Sequence, residues 1–466
     1  MKYSVLTFGC RVNQADSIGF EEELRAAGAV AAAPVDADLV IVNTCSVTAS
    51  SDQGARQTIR RLARENPAAR IVVTGCYATR RPDEIAALPN VTQVIHNDDK
   101  AKLVPLVTRH ALTFHPPRGA ALLERELVHP ASSANRTGVG TGDGACGAAI
   151  EPGVAGRTAF TLRVQTGCSE PCSYCIIPAT RGVPRSVPLD QVLRDVRRII
   201  DAGFKEIVLT GVHLGSYGRD LTPASSLIDL LRAIEECGVR FDVLFRISSL
   251  EPMDCTPEVV DLVASSPFFA PHLHLPLQHA SDRVLASMRR PYTGEYYAAL
   301  VNDIRARVPS ASIGSDVIVG FPGERDEDFA QLVSYLSRSP LTHLHVFPYS
   351  DRPGTGASTM PGKVAGATIR ERARIVREVG QRLSAAFRDS QIGTVHRALT
   401  LEDGSLVVTD NYLKLRIAPG RVRNEWVRVR VASHHDGELL SGRFPLAFHD
   451  QLAAGGADVA SATLPH

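Results

Sequence analysis

Three cysteines, Cys168, Cys172 and Cys175, fall within eight residues with the spacing C-x3-C-x2-C. We call them the clustered triplet. Thiolates this close together can bind one metal centre, and soft thiolate ligands select iron–sulfur clusters, zinc or Cu(I). The next cysteine, Cys237, lies 62 residues further along, whereas a structural zinc site is normally closed by a fourth Cys or His. We therefore interpret the triplet as the ligands of a four-iron cluster with one open iron, and zinc is the competing interpretation.

Three more cysteines, Cys10, Cys45 and Cys76, each follow a short apolar segment near the N-terminus. We call them the dispersed triplet. The apolar segments predict strands at residues 3–8, 39–42 and 71–73. Strands that alternate with helices predict a doubly wound parallel sheet, in which ligands bind at the carboxyl edge. The three cysteines should meet at that edge and form a second three-thiolate site, unless they are simply small buried side chains.

Two three-cysteine sites in this order resemble the methylthiotransferases of the radical S-adenosylmethionine (SAM) superfamily. The resemblance also rests on Tyr174, the aromatic residue just before the last cysteine of the clustered triplet. Residues 9–14 (GCRVNQ) and 75–78 (GCYA) are most similar to the branch that modifies N6-threonylcarbamoyladenosine in tRNA. The motifs extend over most of the chain.

The resemblance implies SAM and two [4Fe–4S] clusters as cofactors. The cluster on the clustered triplet would cleave SAM to a 5′-deoxyadenosyl radical. The cluster on the dispersed triplet would hold the sulfur that is inserted, and a second SAM would methylate that sulfur. An aromatic C–H bond is too inert for ordinary acid–base chemistry, so the cofactors must carry the difficult step.

The central region is predicted to contain six parallel strands, which suggests a partial (β/α)6 radical SAM barrel. The predicted strands cover residues 161–165, 206–210, 243–247, 272–276, 314–319 and 343–348. Active sites of such barrels lie at the carboxyl ends of the strands. The loops there resemble SAM-binding segments of the family, and the resemblance assigns cofactor-binding roles to Tyr174, Gly211, His213, Ser249, Glu251, Gly320 and Pro322.

The segment at residues 272–279 (HLHLPLQH) places His272 and His274 on one face of a strand, which invites a metal-site interpretation. We favour histidines that are satisfied by hydrogen bonds inside the barrel. His279-Ala280 stands where the family often has Ser-Gly.

The C-terminal region is predicted to be a small β-barrel with a basic face, which suits RNA. Alternation in residues 427–431 (VRVRV) puts two arginines on one face of a strand. Tyr412 and Trp426 are candidates for stacking on bases. The region resembles the TRAM domain of methylthiotransferases, with Lys414, Arg416, Arg428 and Arg430 as candidate RNA-binding residues.

We predict five segments along the chain. They are an N-terminal methylthiotransferase domain with the auxiliary cluster (1–112), a Gly/Pro-rich linker (113–156), a radical SAM domain (157–388), a TRAM-like domain (389–448) and a tail (449–466). Cys146 lies in the linker and is interpreted as a bystander thiol, whereas Cys237 and Cys255 are interpreted as structural.

The composition is that of an ordinary globular protein, with 44% hydrophobic and 22% charged residues. The net charge of +1 means that nucleic acid must be bound by a local patch. Nine cysteines, an odd number, argue against a secreted disulfide scaffold. There is no signal-peptide pattern and no run of about 20 apolar residues, so we expect a cytoplasmic location with no membrane partner.

The resemblance implies an enzyme that converts N6-threonylcarbamoyladenosine, at position 37 of the tRNA anticodon loop, into its 2-methylthio derivative. The expected partners are tRNA and a flavodoxin- or ferredoxin-type reductant, and the sulfur donor is not identified. One alternative is a sister methylthiotransferase that acts on N6-isopentenyladenosine or on a ribosomal-protein aspartate. An alternative of another class is a non-catalytic RNA-binding protein with zinc sites.

Overall fold

The computed structural model describes residues 1–109 and 158–440. The predicted linker at 113–156 with Cys146, the last residues of the predicted C-terminal domain and the predicted tail lie outside the described residues. Within the described part, no helix is both long enough and apolar enough to span a bilayer.

The N-terminal part is one parallel five-stranded sheet with helices on both faces. Its strands are β1 (Lys2–Thr7), β2 (Val30–Ala31), β3 (Leu39–Thr44), β4 (Arg70–Gly75) and β5 (Val91–Ile95). Its helices are α1 (Arg11–Ala26), α2 (Ala49–Glu65), α3 (Cys76–Arg80), α4 (Pro82–Ala86) and α5 (Leu103–Arg109). The strand order is β2-β1-β3-β4-β5.

Strand β3 is buried on both faces, as expected for a central parallel strand. Val40 and Val42 belong to one apolar core, and Leu39 and Ile41 belong to a second core on the opposite face. The predicted doubly wound arrangement is therefore confirmed. Helix α1 begins at Arg11, so Cys10 occupies its N-cap position.

The central part is built from six parallel strands that alternate with helices, together with one short antiparallel pair of strands. Its strands are β6 (Phe160–Arg163), β7 (Gln165–Thr166), β8 (Arg185–Ser186), β9 (Glu206–Thr210), β10 (Leu244–Ile247), β11 (His272–His274), β12 (Ser312–Val319) and β13 (His343–Pro348). Its helices are α6 (Ile177–Arg181), α7 (Leu189–Asp201), α8 (Leu227–Phe241), α9 (Pro257–Ser265), α10 (Asp282–Ser287), α11 (Gly294–Arg307), α12 (Asp326–Arg338) and α13 (Gly366–Gln391).

The six predicted strands all form and pair in parallel. They make two three-stranded sheets, β6-β9-β10 in one and β11-β12-β13 in the other, and an isolated bridge pairs Phe245 of β10 with Phe269, three residues before β11. Leu273, Ile313 and Val317 face a large apolar core that also contains residues of the surrounding helices. Because side chains alternate along a strand, the intervening residues face the opposite, inner side.

The C-terminal part is a curled antiparallel sheet. Its strands are β14 (Val395–Leu401), β15 (Leu406–Thr409), β16 (Lys414–Arg416), β17 (Trp426–Val431) and β18 (Gly437–Leu440). The order is β16-β15-β14-β17-β18, and a bridge between Arg416 and Asp436 connects the two edges. Val427, Val429 and Val431 point into the core of this sheet, so the predicted alternation on β17 is confirmed.

Candidate active site

The clustered triplet lies in the loop between β7 and α6, which follows the first long strand of the central part. The backbone N–H groups of Glu170 and Ile177 each lie 3.4 Å from a sulfur, of Cys168 and Cys175 respectively. Burial raises the pKa of the Cys175 thiol to about 12. A positive partner such as a metal centre would therefore be needed to keep this buried sulfur ionised.

Arg290 is the cation that contacts the clustered triplet. Its Nη1 atom donates to the Sγ atom of Cys172 at 3.1 Å, and its guanidinium also pairs with the carboxylate of Glu251. Burial raises the pKa of the Cys172 thiol, and the charge of Arg290 opposes that rise. The Oη atom of Tyr292 lies 3.1 Å from Arg290 Nε and holds the guanidinium in place. Glu251, one of the predicted cofactor-binding residues, is thus positioned beside the triplet.

His213 lies on the other side of the triplet. Its Nδ1 atom is 4.0 Å from Cys168 Sγ, and its Nε2 atom is 2.8 Å from Oδ2 of Asp254. Burial would lower the pKa of His213, but Asp254 and Cys168 outweigh it and raise that pKa to about 10. The side chain of Gln165 accepts the backbone N–H of His213 at 2.9 Å and orders the loop.

The other predicted cofactor-binding residues occupy neighbouring loops. Tyr174 packs against the apolar cluster that contains Phe321. Gly320 (φ +78°) donates its N–H to Glu324 Oε2 at 2.6 Å, and a side chain at that position would collide with Ile369. The remaining three predicted residues differ in exposure. Gly211 lies against the side chain of Gln165, Ser249 is exposed, and Pro322 is buried.

The dispersed triplet lies at the carboxyl edge of the N-terminal sheet. Cys10 follows β1, Cys45 follows β3 and Cys76 follows β4, and these three strands are neighbours in the order β1-β3-β4. A side chain at Gly9 (φ +92°) would lie 2.6 Å from Cys45 Sγ, so the backbone before Cys10 touches Cys45 directly. The strand order thus brings the three cysteines together at one edge, as the sequence predicted.

Two cations set the electrostatics of the dispersed triplet. Burial disfavours the thiolate of Cys76, but the charges of Arg181 and Lys100 outweigh it and lower the pKa of that thiol. Burial raises the pKa of the Cys45 thiol to about 11. Both cations are themselves buried, and they share the carboxylate of Asp16, which lies 2.6 Å from Lys100 Nζ.

The short helix α6 connects the two triplets. It begins two residues after Cys175, and its last residue, Arg181, reaches the dispersed triplet. Asn97, in the turn after β5, donates to the carbonyl of Thr180 at 2.7 Å and lies 3.8 Å from Cys76 Sγ. The N-terminal and central parts therefore meet at α6, beside the dispersed triplet.

The spacing of the sulfurs fits a cluster better than a single zinc ion. In the described part of the chain, one set of three His, Cys, Asp or Glu residues has all its ligand atoms within 4.8 Å of one another, namely His274, Asp316 and His345. Neither cysteine triplet is so tightly spaced. Thiolates on one zinc ion lie about 3.8 Å apart, because each Zn–S bond is about 2.3 Å long. In each triplet at least one pair of sulfurs is thus further apart than 4.8 Å, a separation that a single zinc ion does not bridge.

The basic residues predicted to bind RNA lie on the outside of the C-terminal sheet. Arg416 pairs with Asp436 at 3.2 Å, and Arg430 pairs with Glu438 at 3.0 Å. Exposed pairs of this kind are weak and can exchange for phosphate contacts. Lys414 is exposed and Arg428 is half-buried.

The two aromatic residues expected to stack on bases contact the protein itself. The Tyr412 ring lies 4.8 Å from the His272 ring and 4.6 Å from Arg246 Cζ, and its hydroxyl accepts from Arg11 at 3.1 Å. Trp426 is covered by the guanidinium of Arg397, 3.7 Å from the ring centroid. The Tyr412 ring thus joins the C-terminal sheet to the N-terminal and central parts, and the indole N–H of Trp426 donates to the carbonyl of Asp242 at 3.4 Å. Stacking on bases stays a prediction for both rings.

Several residues around the two sites were not found from the sequence. They are Asn97, Lys100, Arg181, Asp254 and Arg290. Arg290 contacts the sulfur of Cys172, which is 118 positions away in the chain, and no local sequence pattern predicts such a contact.

Comparisons with known proteins cover most of the chain. Residues 2–96 match the family described as "Uncharacterized protein family UPF0004", and residues 162–336 match the Radical SAM superfamily. The threonylcarbamoyladenosine tRNA methylthiotransferase MtaB of Aquifex aeolicus is 36% identical over 92% of this chain and 100% of its own length. The protein of that name from Bacillus subtilis is 33% identical over 88% of each chain.

Relatives that are named for another substrate are almost as similar. The tRNA-2-methylthio-N(6)-dimethylallyladenosine synthase of Frankia alni is 33% identical over 95% of this chain and 89% of its own length. Among solved structures, the radical SAM methyltransferase TsrM of Kitasatospora setae, with cobalamin and a [4Fe-4S] cluster bound, has a TM-score of 0.52 at 16% identity. It covers 77% of this chain and 74% of its own, and this likeness concerns the fold alone.

Proposed function

Because this chain belongs to the radical SAM methylthiotransferases, we propose that it converts N6-threonylcarbamoyladenosine at position 37 of tRNA into 2-methylthio-N6-threonylcarbamoyladenosine. The observation that carries the proposal is the pair of three-cysteine sites that lie beside the two ends of α6. One site alone would account for SAM cleavage but not for sulfur insertion. Full-length similarity to several relatives named for this substrate supports the choice of adenosine.

In this proposal Cys168, Cys172 and Cys175 hold the cluster that binds SAM, and Cys10, Cys45 and Cys76 hold a second [4Fe–4S] cluster. When bound, these cofactors supply the radical and the methylthio group that an inert ring carbon requires. Tyr174, Gly211, His213, Ser249, Glu251, Gly320 and Pro322 are the proposed SAM-binding residues.

The chain's own residues position these groups. Arg290 fixes both the Cys172 sulfur and the Glu251 carboxylate, which leaves Glu251 facing the cluster loop. Arg181 and Lys100 place positive charge beside Cys76, which favours a thiolate ligand there. The buried Asp16 balances part of that charge.

The finer architecture is part of the same proposal. The central strands would form a partial (β/α)6 barrel within a domain at 157–388, after an N-terminal domain at 1–112 and the linker at 113–156. The curled sheet would be a TRAM-like barrel at 389–448 that binds the anticodon loop through Lys414, Arg416, Arg428 and Arg430. A flavodoxin- or ferredoxin-type reductant and a cytoplasmic location complete the proposal.

Mass spectrometry of tRNA nucleosides tests the proposal. A strain that lacks the gene should lose 2-methylthio-N6-threonylcarbamoyladenosine and accumulate its unmethylthiolated precursor. The wild-type gene should restore the product, and a matched Cys172→Ala variant should not. An unchanged nucleoside profile would contradict the proposal. Loss of a 2-methylthio-N6-dimethylallyladenosine signal would instead favour the activity for which the Frankia alni relative is named.

A further inference from the structure

The inner side of strands β11, β12 and β13 carries a group of polar side chains. Parallel pairing sets His274 and His343 on either side of Gly314, and sets Asp316 beside His345. We call His274, Asp316, His343 and His345 the histidine cluster. A barrel interior is ordinarily filled by branched apolar residues, so a polar interior at this position requires a reason.

The side chains of the histidine cluster contact one another. His274 Nε2 lies 2.9 Å and His345 Nδ1 lies 3.2 Å from the same oxygen, Oδ1 of Asp316. The ring centroids of His274 and His345 are 5.1 Å apart, and those of His343 and His345 are 5.5 Å apart. A side chain at Gly314 would lie 2.0 Å from Nε2 of His343, so the glycine makes room for the rings.

The histidine cluster is open to solvent and lies next to the candidate active site. The side chain of His345 is 57% exposed and that of Asp316 is 26% exposed, whereas His274 is buried. The carbonyl of His274 accepts the N–H of Leu250 at 3.0 Å. The next residue is Glu251, which pairs with Arg290 beside Cys172. A substrate that enters the active site from this side would meet His345.

Three ligand atoms of the histidine cluster are close enough for a metal ion, but the cluster balances its own charge. Burial would raise the pKa of Asp316, yet hydrogen bonds from His274 and His345 hold it well below its usual range. The contact with Asp316 in turn raises the pKa of His345. Asp316 thus favours the protonated form of His345, and an imidazolium there would supply the positive charge that a metal ion would bring. Because Nδ1 of His345 is used by Asp316, Nε2 is the nitrogen left for a ligand.

The two substrates named for the relatives differ in the group attached to N6 of adenosine. Dimethylallyl is a hydrocarbon, whereas threonylcarbamoyl carries a urea linkage, a hydroxyl group and a carboxylate. Polar protein groups that are buried against a hydrocarbon substituent lose their hydrogen-bond partners. A site built to hydrogen-bond a polar substituent therefore strongly rejects a substrate that carries a hydrocarbon there. The histidine cluster matches the polar substituent and not the apolar one.

We propose that the histidine cluster receives the threonylcarbamoyl substituent, with His345 Nε2 as donor to its carboxylate, and that it thereby determines the choice between the two adenosines. The inference rests on the proposed function and goes beyond it, because it assigns substrate specificity to side chains on β11, β12 and β13. His345 is the most exposed member of the histidine cluster and is therefore the residue to substitute.

The test compares rates on two anticodon-loop RNAs, one with threonylcarbamoyladenosine and one with dimethylallyladenosine, using reconstituted holoenzyme. For His345→Phe we expect kcat/KM on the threonylcarbamoyl RNA to fall about 10- to 100-fold, the range for loss of a hydrogen bond to a charged group. The rate on the dimethylallyl RNA should hold or rise. His345→Gln, which keeps a donor, should restore most of the preference. His435→Phe, in the exposed turn before β18, is the matched control and should behave as wild type.

Equal losses on both RNAs in His345→Phe would overturn the inference and leave the proposed function intact. A stoichiometric non-iron metal in the wild-type protein, lost in His345→Phe, would also overturn it in favour of a metal site. A wild-type enzyme that modifies only the dimethylallyl RNA would overturn the proposed function itself. Unaltered SAM cleavage in His345→Phe would support the inference, because it places the defect in substrate choice.

Discussion

The guanidinium of Arg290 and the sulfur of Cys172 are hydrogen bonded at 3.1 Å, although α10 and the loop after it bring Arg290 to the triplet from 118 residues away. The same guanidinium pairs with Glu251. One side chain thus holds a proposed cluster ligand and a proposed SAM-binding carboxylate in a fixed relation.

Arg290→Ala should therefore impair SAM cleavage. The change removes a charged hydrogen bond and leaves Glu251 without its partner, a loss of about 1.5–3 kcal/mol, or about 10- to 100-fold in rate. The measurement is 5′-deoxyadenosine formation per reconstituted enzyme, normalised to iron content. The exposed neighbour Arg289 offers the control Arg289→Gln. Wild-type turnover in Arg290→Ala would show that the contact is structural only.

Cys76→Ala should separate the two activities. The substitution removes a ligand of the dispersed triplet and leaves the clustered triplet untouched, so SAM cleavage should persist while methylthiolated RNA disappears. Cys172→Ala should abolish both. Product RNA and 5′-deoxyadenosine are measured in the same reaction. Methylthiolation that survives in Cys76→Ala would remove the dispersed triplet from the sulfur-insertion step.

Asp16→Ala should destabilise the contact between the N-terminal and central parts. Asp16 is fully buried and pairs with Lys100, Arg163 and Arg181, so its loss leaves three buried cations without their shared counter-charge. Removing one partner of a buried ion pair costs about 3–5 kcal/mol. Urea unfolding measures the change, with the exposed Asp36→Asn as control. Unfolding midpoints that coincide with wild type would contradict the network's structural role.

Glu22 should make the protein less stable as pH rises. Burial, opposed by Arg198 at 3.5 Å, raises the pKa of Glu22 to about 7 from 4.5. The folded state thus binds the extra proton, and the free energy of unfolding falls between pH 4.5 and about 7, by about 3 kcal/mol. In Glu22→Gln this fall should vanish, as thermal unfolding at pH 6 and at pH 8, about a unit either side of that pKa, would show. Glu21→Gln is the control, and an unchanged pH slope in Glu22→Gln would assign the dependence to other groups.

Lys414→Ala should weaken tRNA binding by a similar factor for RNAs of different nucleotide sequence. A lysine that contacts phosphate releases counterions, so its loss should reduce the slope of log K against log salt by about 1. Fluorescence anisotropy over a salt series gives the slope. Arg60→Ala, an exposed arginine on α2, is the matched control. Equal slopes for Lys414→Ala and wild type would show that Lys414 on β16 does not contact the phosphates of the RNA.

Much of the architecture followed from local patterns. The period of one βα unit between Cys10, Cys45 and Cys76 predicted their meeting at one sheet edge, because carboxyl ends of parallel strands share an edge. The C-x3-C-x2-C spacing predicted a cluster loop at the end of a strand, and the alternation in β17 predicted one basic and one apolar face.

The amino-acid sequence by itself determined the two cysteine triplets, the alternation of strands and helices and the family, because these depend on residue type and spacing along the chain. Only the tertiary structure decided that Arg290 lies beside the clustered triplet and Arg181 beside the dispersed triplet. It also decided that the rings of Tyr412 and Trp426 contact other side chains of the protein, and that the histidine cluster lies near Glu251. Such contacts join residues that are distant in the chain. They depend on how separate elements pack, and local periodicity carries no information about that.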